Sequence, residues 1–116
     1  MVLVVDDEAA ITTLVRSVLE DEGFEARAVG NGRRALELLR NTPARLILLD
    51  MWMPVMNGWE FAAAYRQTPP PHAPIIVMTA GFDAAQKAAA IQADGLLRKP
   101  FELDDLVQMV RRYITR

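Results

Sequence analysis

Five side chains in this 116-residue sequence follow short apolar runs, and their types belong together chemically. Asp6 and Asp7 follow "VLVV", Asp50 closes "LILLD", Thr79 follows "IIVM" and Lys99 follows "LLR". A carboxylate at the end of an apolar run is costly unless something offsets its charge. Three carboxylates against one ammonium leave excess negative charge, which raises at least one Asp pKa by repulsion and which a divalent cation neutralises. An all-oxygen donor set without His or Cys suits Mg²⁺, or Mn²⁺ in its place, rather than Zn²⁺. Mg²⁺ uses one or two carboxylates plus phosphate oxygens, and a neighbouring Thr and Lys are groups that hold such oxygens. The residues together point to a Mg²⁺-dependent phosphoryl site.

Each has a duller role when taken alone. Asp7 is a favoured helix N-cap, and capping is compatible with metal binding. Thr79 by itself reads as a strand-end hydroxyl bonding the backbone, and Lys99 as a solvated charge. Their joint placement at successive strand ends outweighs these readings. His72, inside "TPPPHAP", is expected to be exposed and to take no part in chemistry.

The elements that must position these groups are legible in the apolar pattern. Short apolar runs at Val2–Val5, Leu46–Leu49, Ile75–Met78 and Leu96–Arg98 read as buried strands, and the weaker alternation of Phe24–Val29 as an edge strand. Between them, Ile11, Leu14, Val15, Val18 and Leu19 form one helical stripe over Glu8–Glu22, with Gly23 as the stop. Asn31-Gly32 opens a second helix ending near Pro43. Gly58–Gln67 and Asp83–Ala93 read as the third and fourth, and Glu102–Ile114 as the fifth, with Leu103, Leu106, Val107, Val110 and Ile114 on its stripe. Five strands alternating with five helices through short connections predict a doubly wound parallel sheet covered on both faces. In such sheets ligands bind beyond the carboxyl ends of the strands, where the five groups fall.

Composition sets the wider limits. The chain is 52% hydrophobic and 24% charged, as expected of one ordinary globular domain spanning residues 1–116. Thirteen basic and fifteen acidic residues imply no polyanion-binding surface, so direct nucleic acid binding is not expected. Absence of cysteine excludes disulfide frameworks and thiolate metal sites. "MVLVVDDEAA" is not a signal peptide, and no apolar run approaches the roughly 20 residues of a membrane helix, so the expected compartment is the cytoplasm.

Taken in order, "VVDDE", "LLDMWMPVMNGWE", "IIVMTA" and "LLRKPF" resemble the receiver domain of two-component response regulators, and the resemblance runs from Val2 to the end of the chain. It implies a flavodoxin-like sheet in the order 2-1-3-4-5. It also implies that Asp50 is phosphorylated by a histidine kinase or histidine phosphotransfer protein, with Thr79 and Lys99 on the phosphoryl oxygens. Asp7, Asp50 and the Trp52 backbone carbonyl would hold Mg²⁺, with Asp6 acting through water, and the Lys99–Pro100 bond would be cis. Such a domain promotes its own phosphorylation and dephosphorylation without turning over an external substrate, and so is not expected to be an enzyme in the ordinary sense.

The chain departs from the commonest pattern of that family at Leu96, where an aromatic usually stands three residues before the lysine. Trp52 and Gly81 occupy positions that tune loss of the phosphoryl group, and they predict slow hydrolysis. The slightly short stretch from Thr79 to Lys99 is expected to trim the fourth helix. A stand-alone, chemotaxis-regulator-like receiver acting on a downstream protein effector is expected, with a domain cut from a longer chain as the alternative, and a phosphorylation-dependent dimer is compatible with either. Ala10, Ile11, Leu14, Pro100 and Phe101 form the expected docking patch for the phosphodonor, unless Ile11 and Leu14 are wholly core. On the last two helices, Met109 and Tyr113 offer a phosphorylation-dependent contact with Ala85, Ala88 and Ala89, whose small side chains permit close helix approach. Rival phosphohydrolase and nuclease classes want Asp-x-Asp at a strand end, which neither Asp6-Asp7-Glu8 nor Asp50-Met51-Trp52 supplies. The non-enzymatic rival is a receiver-like interaction scaffold that is not phosphorylated.

Overall fold

A computed structural model describes residues 1–114. In chain order the elements are β1 (Val2–Val5), α1 (Ala9–Asp21), β2 (Ala26–Val29), α2 (Gly32–Leu39), β3 (Leu46–Asp50), α3 (Gly58–Arg66), β4 (Ile75–Thr79), α4 (Ala84–Ala90), β5 (Gly95–Arg98) and α5 (Leu103–Tyr113). The five strands form one parallel sheet in the order β2-β1-β3-β4-β5, the flavodoxin-like arrangement. No helix among the described residues is long and apolar enough to cross a membrane.

Strand residues alternate between two cores, which is why the central strands are apolar throughout. Val2, Val4, Leu46, Leu48, Ile76, Met78 and Leu97 pack under Val15 and Leu19 of α1 and Leu106 and Val110 of α5. Leu3, Val5, Ile47, Leu49, Ile75 and Val77 face Ala35 of α2, Phe61, Ala62 and Tyr65 of α3, and Ile91. Each such aliphatic side chain contributes about 1.5–3 kcal/mol on burial, so the double-faced core dominates stability and makes the strand ends a rigid frame.

Several local boundaries differ from the sequence expectation. β2 begins at Ala26 rather than Phe24, because Gly23 (φ +91°) turns the chain out of α1 and the Phe24 amide donates to the Leu19 carbonyl. α4 is seven residues long and stops at Ala90 rather than Ala93. There Gln92 adopts φ +53°, the Arg66 guanidinium bonds the Ile91 and Gln92 carbonyls, and the Asp94 carboxylate accepts from the Ile75 amide at 2.8 Å. These contacts redirect the chain into β5 before the helix can continue. Leu14 is 45% exposed, which removes it from the core and sets the reading of it as wholly buried aside. Met109 and Tyr113 are partly buried against the α1–α5 core, and the Tyr113 hydroxyl donates to the Asp94 carbonyl at 2.6 Å. α3 starts with a reciprocal Asn57–Glu60 capping box, and Asn31 caps α2 by accepting from the Arg34 amide.

Candidate functional site

Four strands deliver their ends to one edge of the sheet. Asp6 and Asp7 follow β1, Asp50 and Thr79 are the last residues of β3 and β4, and Lys99 follows β5. Asp6, Asp50 and Thr79 are buried, while Asp7 is exposed. One carboxylate oxygen from each of Asp6, Asp7 and Asp50 falls within 4.8 Å of the others. The Lys99 ammonium crosses to this cluster, donating to Asp6 Oδ2 at 2.7 Å and Glu8 Oε1 at 3.3 Å, with Asp50 Oδ1 at 3.7 Å. Asp6 is held from its other oxygen by the Glu8 amide at 3.0 Å. The Lys99–Pro100 bond is cis.

Gly58 is what lets α3 lie against this edge. A Cβ on it would come within 2.8 Å of the Asp50 carbonyl oxygen and 2.6 Å of Met51 Sδ. The connecting loop turns tightly at Val55 (φ 69°), where the Met56 amide donates to the Pro54 carbonyl at 2.7 Å.

The electrostatics follow from this crowding. Asp50 has its pKa pushed up from 3.8 to about 6, first by burial and next by the Asp6 charge; Lys99 and the Met51 backbone oppose the shift, and Asp7 adds to it. Burial works against the Lys99 ammonium. The hydrogen bond to Asp6, the charges of Asp50 and Asp6, and the bond to Glu8 outweigh that burial and raise its pKa above the ordinary lysine value. The cluster thus carries more negative charge than Lys99 offsets. Three clustered carboxylates with all-oxygen chemistry fit a hard divalent cation.

Asp7 does not cap α1: the N-cap position is Glu8, whose side chain makes no cap hydrogen bond, and the Asp7 carboxylate lies at the cluster. Trp52 is 63% exposed, with its indole edge-on to Trp59 at 4.9 Å between ring centroids. Leu96 packs into the core facing α2, α3 and α4. Ala10, Leu14 and Pro100 are exposed and Ile11 and Phe101 half-buried, so the expected apolar patch lies at the surface. His72 is exposed, with Nε2 2.7 Å from the Thr68 carbonyl oxygen.

One residue beside the site escaped the sequence reading. Lys87, in the alanine-rich α4, is buried, and its ammonium approaches Thr79 Oγ1 at 3.5 Å, the Ala80 carbonyl at 3.3 Å and Asp83 Oδ1 at 3.2 Å. The available signal was its spacing: it lies three residues after Ala84 and four before Ile91, on the helix face both of these bury.

The edge thus brings together a buried aspartate at the end of β3, paired carboxylates and a lysine on a 2-1-3-4-5 sheet. The chain belongs to the response regulator receiver domain family, whose model matches residues 2–111. Among curated relatives, the DNA-binding response regulator MtrA of Mycobacterium tuberculosis is 34% identical over 99% of this chain and 50% of its own length. The transcriptional regulatory protein CpxR of Escherichia coli is 36% identical over 99% of this chain and 49% of its own length. The chain therefore spans about half the length of these relatives. Among solved structures, the chemotaxis response regulator CheY4 of Vibrio cholerae superposes with a TM-score of 0.87 at 34% identity, covering 97% of each chain. The receiver domain of NtrX from Brucella abortus gives 0.88 at 29% identity, covering 98% of each.

Proposed function

We propose that the whole chain, residues 1–116, is one receiver domain that works as a phospho-acceptor switch. In this reading Asp50 takes a phosphoryl group from a phosphohistidine of a histidine kinase or phosphotransfer protein in the cytoplasm. The observation that carries it is the Asp50 carboxylate itself: buried, its pKa near 6, facing Lys99 and the Asp6–Asp7 pair. A pKa raised that far keeps the carboxylate ionised at neutral pH while making it more basic, which favours attack on phosphorus. A carboxylate oxygen of Asp50 forms the P–O bond as the P–N bond to the donor imidazole breaks. Lys99 and the Thr79 hydroxyl then hold the equatorial oxygens, positioning and electrostatic stabilisation being most of what a protein adds to this transfer.

Asp7, Asp50 and the Trp52 backbone carbonyl would hold Mg²⁺, with Asp6 acting through water. Bound there, the ion supplies positive charge that offsets the clustered carboxylates and the incoming phosphoryl oxygens; Mn²⁺ has the same preference for oxygen. The product carries about two negative charges where the carboxylate carried one, so Thr79 and Lys99 bind the modified state better. That difference is what shifts the domain between conformations and changes its downstream protein contacts. The domain speeds its own modification and its reversal and turns over no external substrate. DNA binding belongs to the names of the longer relatives and is not assigned to these residues.

The test is incubation with Mg²⁺ and a small acyl phosphate, followed by weighing the intact protein. One added phosphoryl group is expected, absent with chelator and absent in Asp50→Asn. An unmodified wild-type mass under conditions that label other receivers would favour the unphosphorylated interaction scaffold.

A further inference from the structure

Lys87 is a buried cation that the mechanism above leaves unused. Its stem packs on the α4 face between Ala84 and Ile91, and its side chain is 9% exposed. The ammonium has three oxygen neighbours: Asp83 Oδ1, the Ala80 carbonyl and Thr79 Oγ1. On a further side lies the Trp52 ring, its centroid 5.7 Å from Nζ. Burying an ammonium is costly, and its one carboxylate partner among the described residues, Asp83, has a side chain that is 56% exposed to water. A solvated pair with Asp83 formed outside the site would avoid most of that cost. The ammonium instead reaches back to the hydroxyl beside Asp50.

The bond has a direction. Lys87 can only donate, so Thr79 Oγ1 accepts from it. With its acceptor side engaged, the hydroxyl keeps its proton for a partner elsewhere, and a phosphoryl group on Asp50 is an acceptor of that kind. Donation to the phosphoryl and acceptance from the ammonium reinforce each other along the chain of bonds. The added negative charge also attracts Lys87 directly, in competition with Asp83.

We propose that Lys87 is a positioning residue that reads the phosphorylated state through Thr79 and ties α4 to it. On phosphorylation the ammonium draws toward Thr79 and away from Asp83, and α4, which carries both Lys87 and the Asp83 connection, adjusts with it. The inference rests on Asp50 being the phosphoryl acceptor.

Trp52 provides the readout, because its indole lies against the same ammonium. In a Trp59→Phe background Trp52 is the single tryptophan, and its emission is followed while the protein is phosphorylated with acyl phosphate and Mg²⁺. Intact mass is recorded on the same samples. The emission is expected to change in that background and to lose the change when Lys87→Met is added, with both proteins gaining one phosphoryl group. An equal change in both, or none in either despite full modification, would overturn the role of Lys87. No mass gain in either would instead overturn the reading of Asp50. If Lys87→Met does not fold, the side-chain ammonium ¹⁵N resonance of Lys87 in the wild-type protein decides: it is expected to shift on phosphorylation, and an unmoved resonance would contradict the inference.

Discussion

Asp50 is where the sheet's stability and its chemistry conflict. Its carboxyl holds a proton up to a pH of about 6, whereas an ordinary carboxyl releases it near 3.8. Between those values the unfolded chain binds fewer protons than the folded one, so stability falls as pH rises through this window and stays lower above it. Without metal, Asp50→Asn is therefore expected to be more stable than wild type at pH 7.5 by about 3 kcal/mol, and to lose that advantage below pH 4. Denaturant titrations in chelator at both pH values measure this; an equal difference at both would refute it. Asp7 is exposed and caps nothing, so Asp7→Ala should fold normally yet lose the rise in Tm that Mg²⁺ is expected to give wild type. A variant that kept the full rise would move the metal elsewhere. Trp52 and Gly81 are expected to bear on the phosphoryl lifetime. An indole only donates and glycine has no side chain, so neither can orient an attacking water as an acceptor. Trp52→Asn is expected to shorten the phosphoryl lifetime about tenfold, or ~1.4 kcal/mol of barrier, measured as phosphate released after the donor is removed. An unchanged lifetime would reduce Trp52 to packing against Trp59.

At the scale of elements, the site depends on helices seated closely against strand ends. Gly58→Ala places a methyl group against the Asp50 carbonyl and Met51, with an expected cost of ~2 kcal/mol and slower phosphorylation from displacement of Asp50. Normal stability by thermal melting would show that α3 can yield. α1 offers the opposite case. Leu14 is exposed and Ile11 half-buried beside it, so Leu14→Glu should leave the melt unchanged, slow transfer from a protein phosphodonor and spare transfer from a small one. Equal slowing of both would place Leu14 outside the docking surface. The same elements show what could be read in advance. The strands and the residues at their ends were legible because apolar runs stop abruptly at Asp6, Asp50 and Thr79. The trimming of α4 followed from the short Thr79–Lys99 spacing, but its end at Ala90 depends on Arg66, distant in sequence, capping the turn. Lys87 was hidden because an alanine-rich helix has little contrast between its faces.

The molecule as a whole separates support from chemistry. The two cores hold the strands, one edge of the sheet carries every group assigned to phosphoryl transfer, and α1 and α4 border that edge where a partner or a conformational change would meet it. Relatives that share about half their length with this chain retain the same domain. In the proposed function, one aspartate at the end of β3 is the covalent acceptor. The most direct measurement is borohydride reduction of the phosphorylated protein, which converts an aspartyl phosphate to homoserine, followed by peptide mass mapping. Reduction is expected at Asp50 alone. Homoserine at Asp6, Asp7 or another carboxylate, or at none in protein carrying a phosphoryl group, would contradict the account.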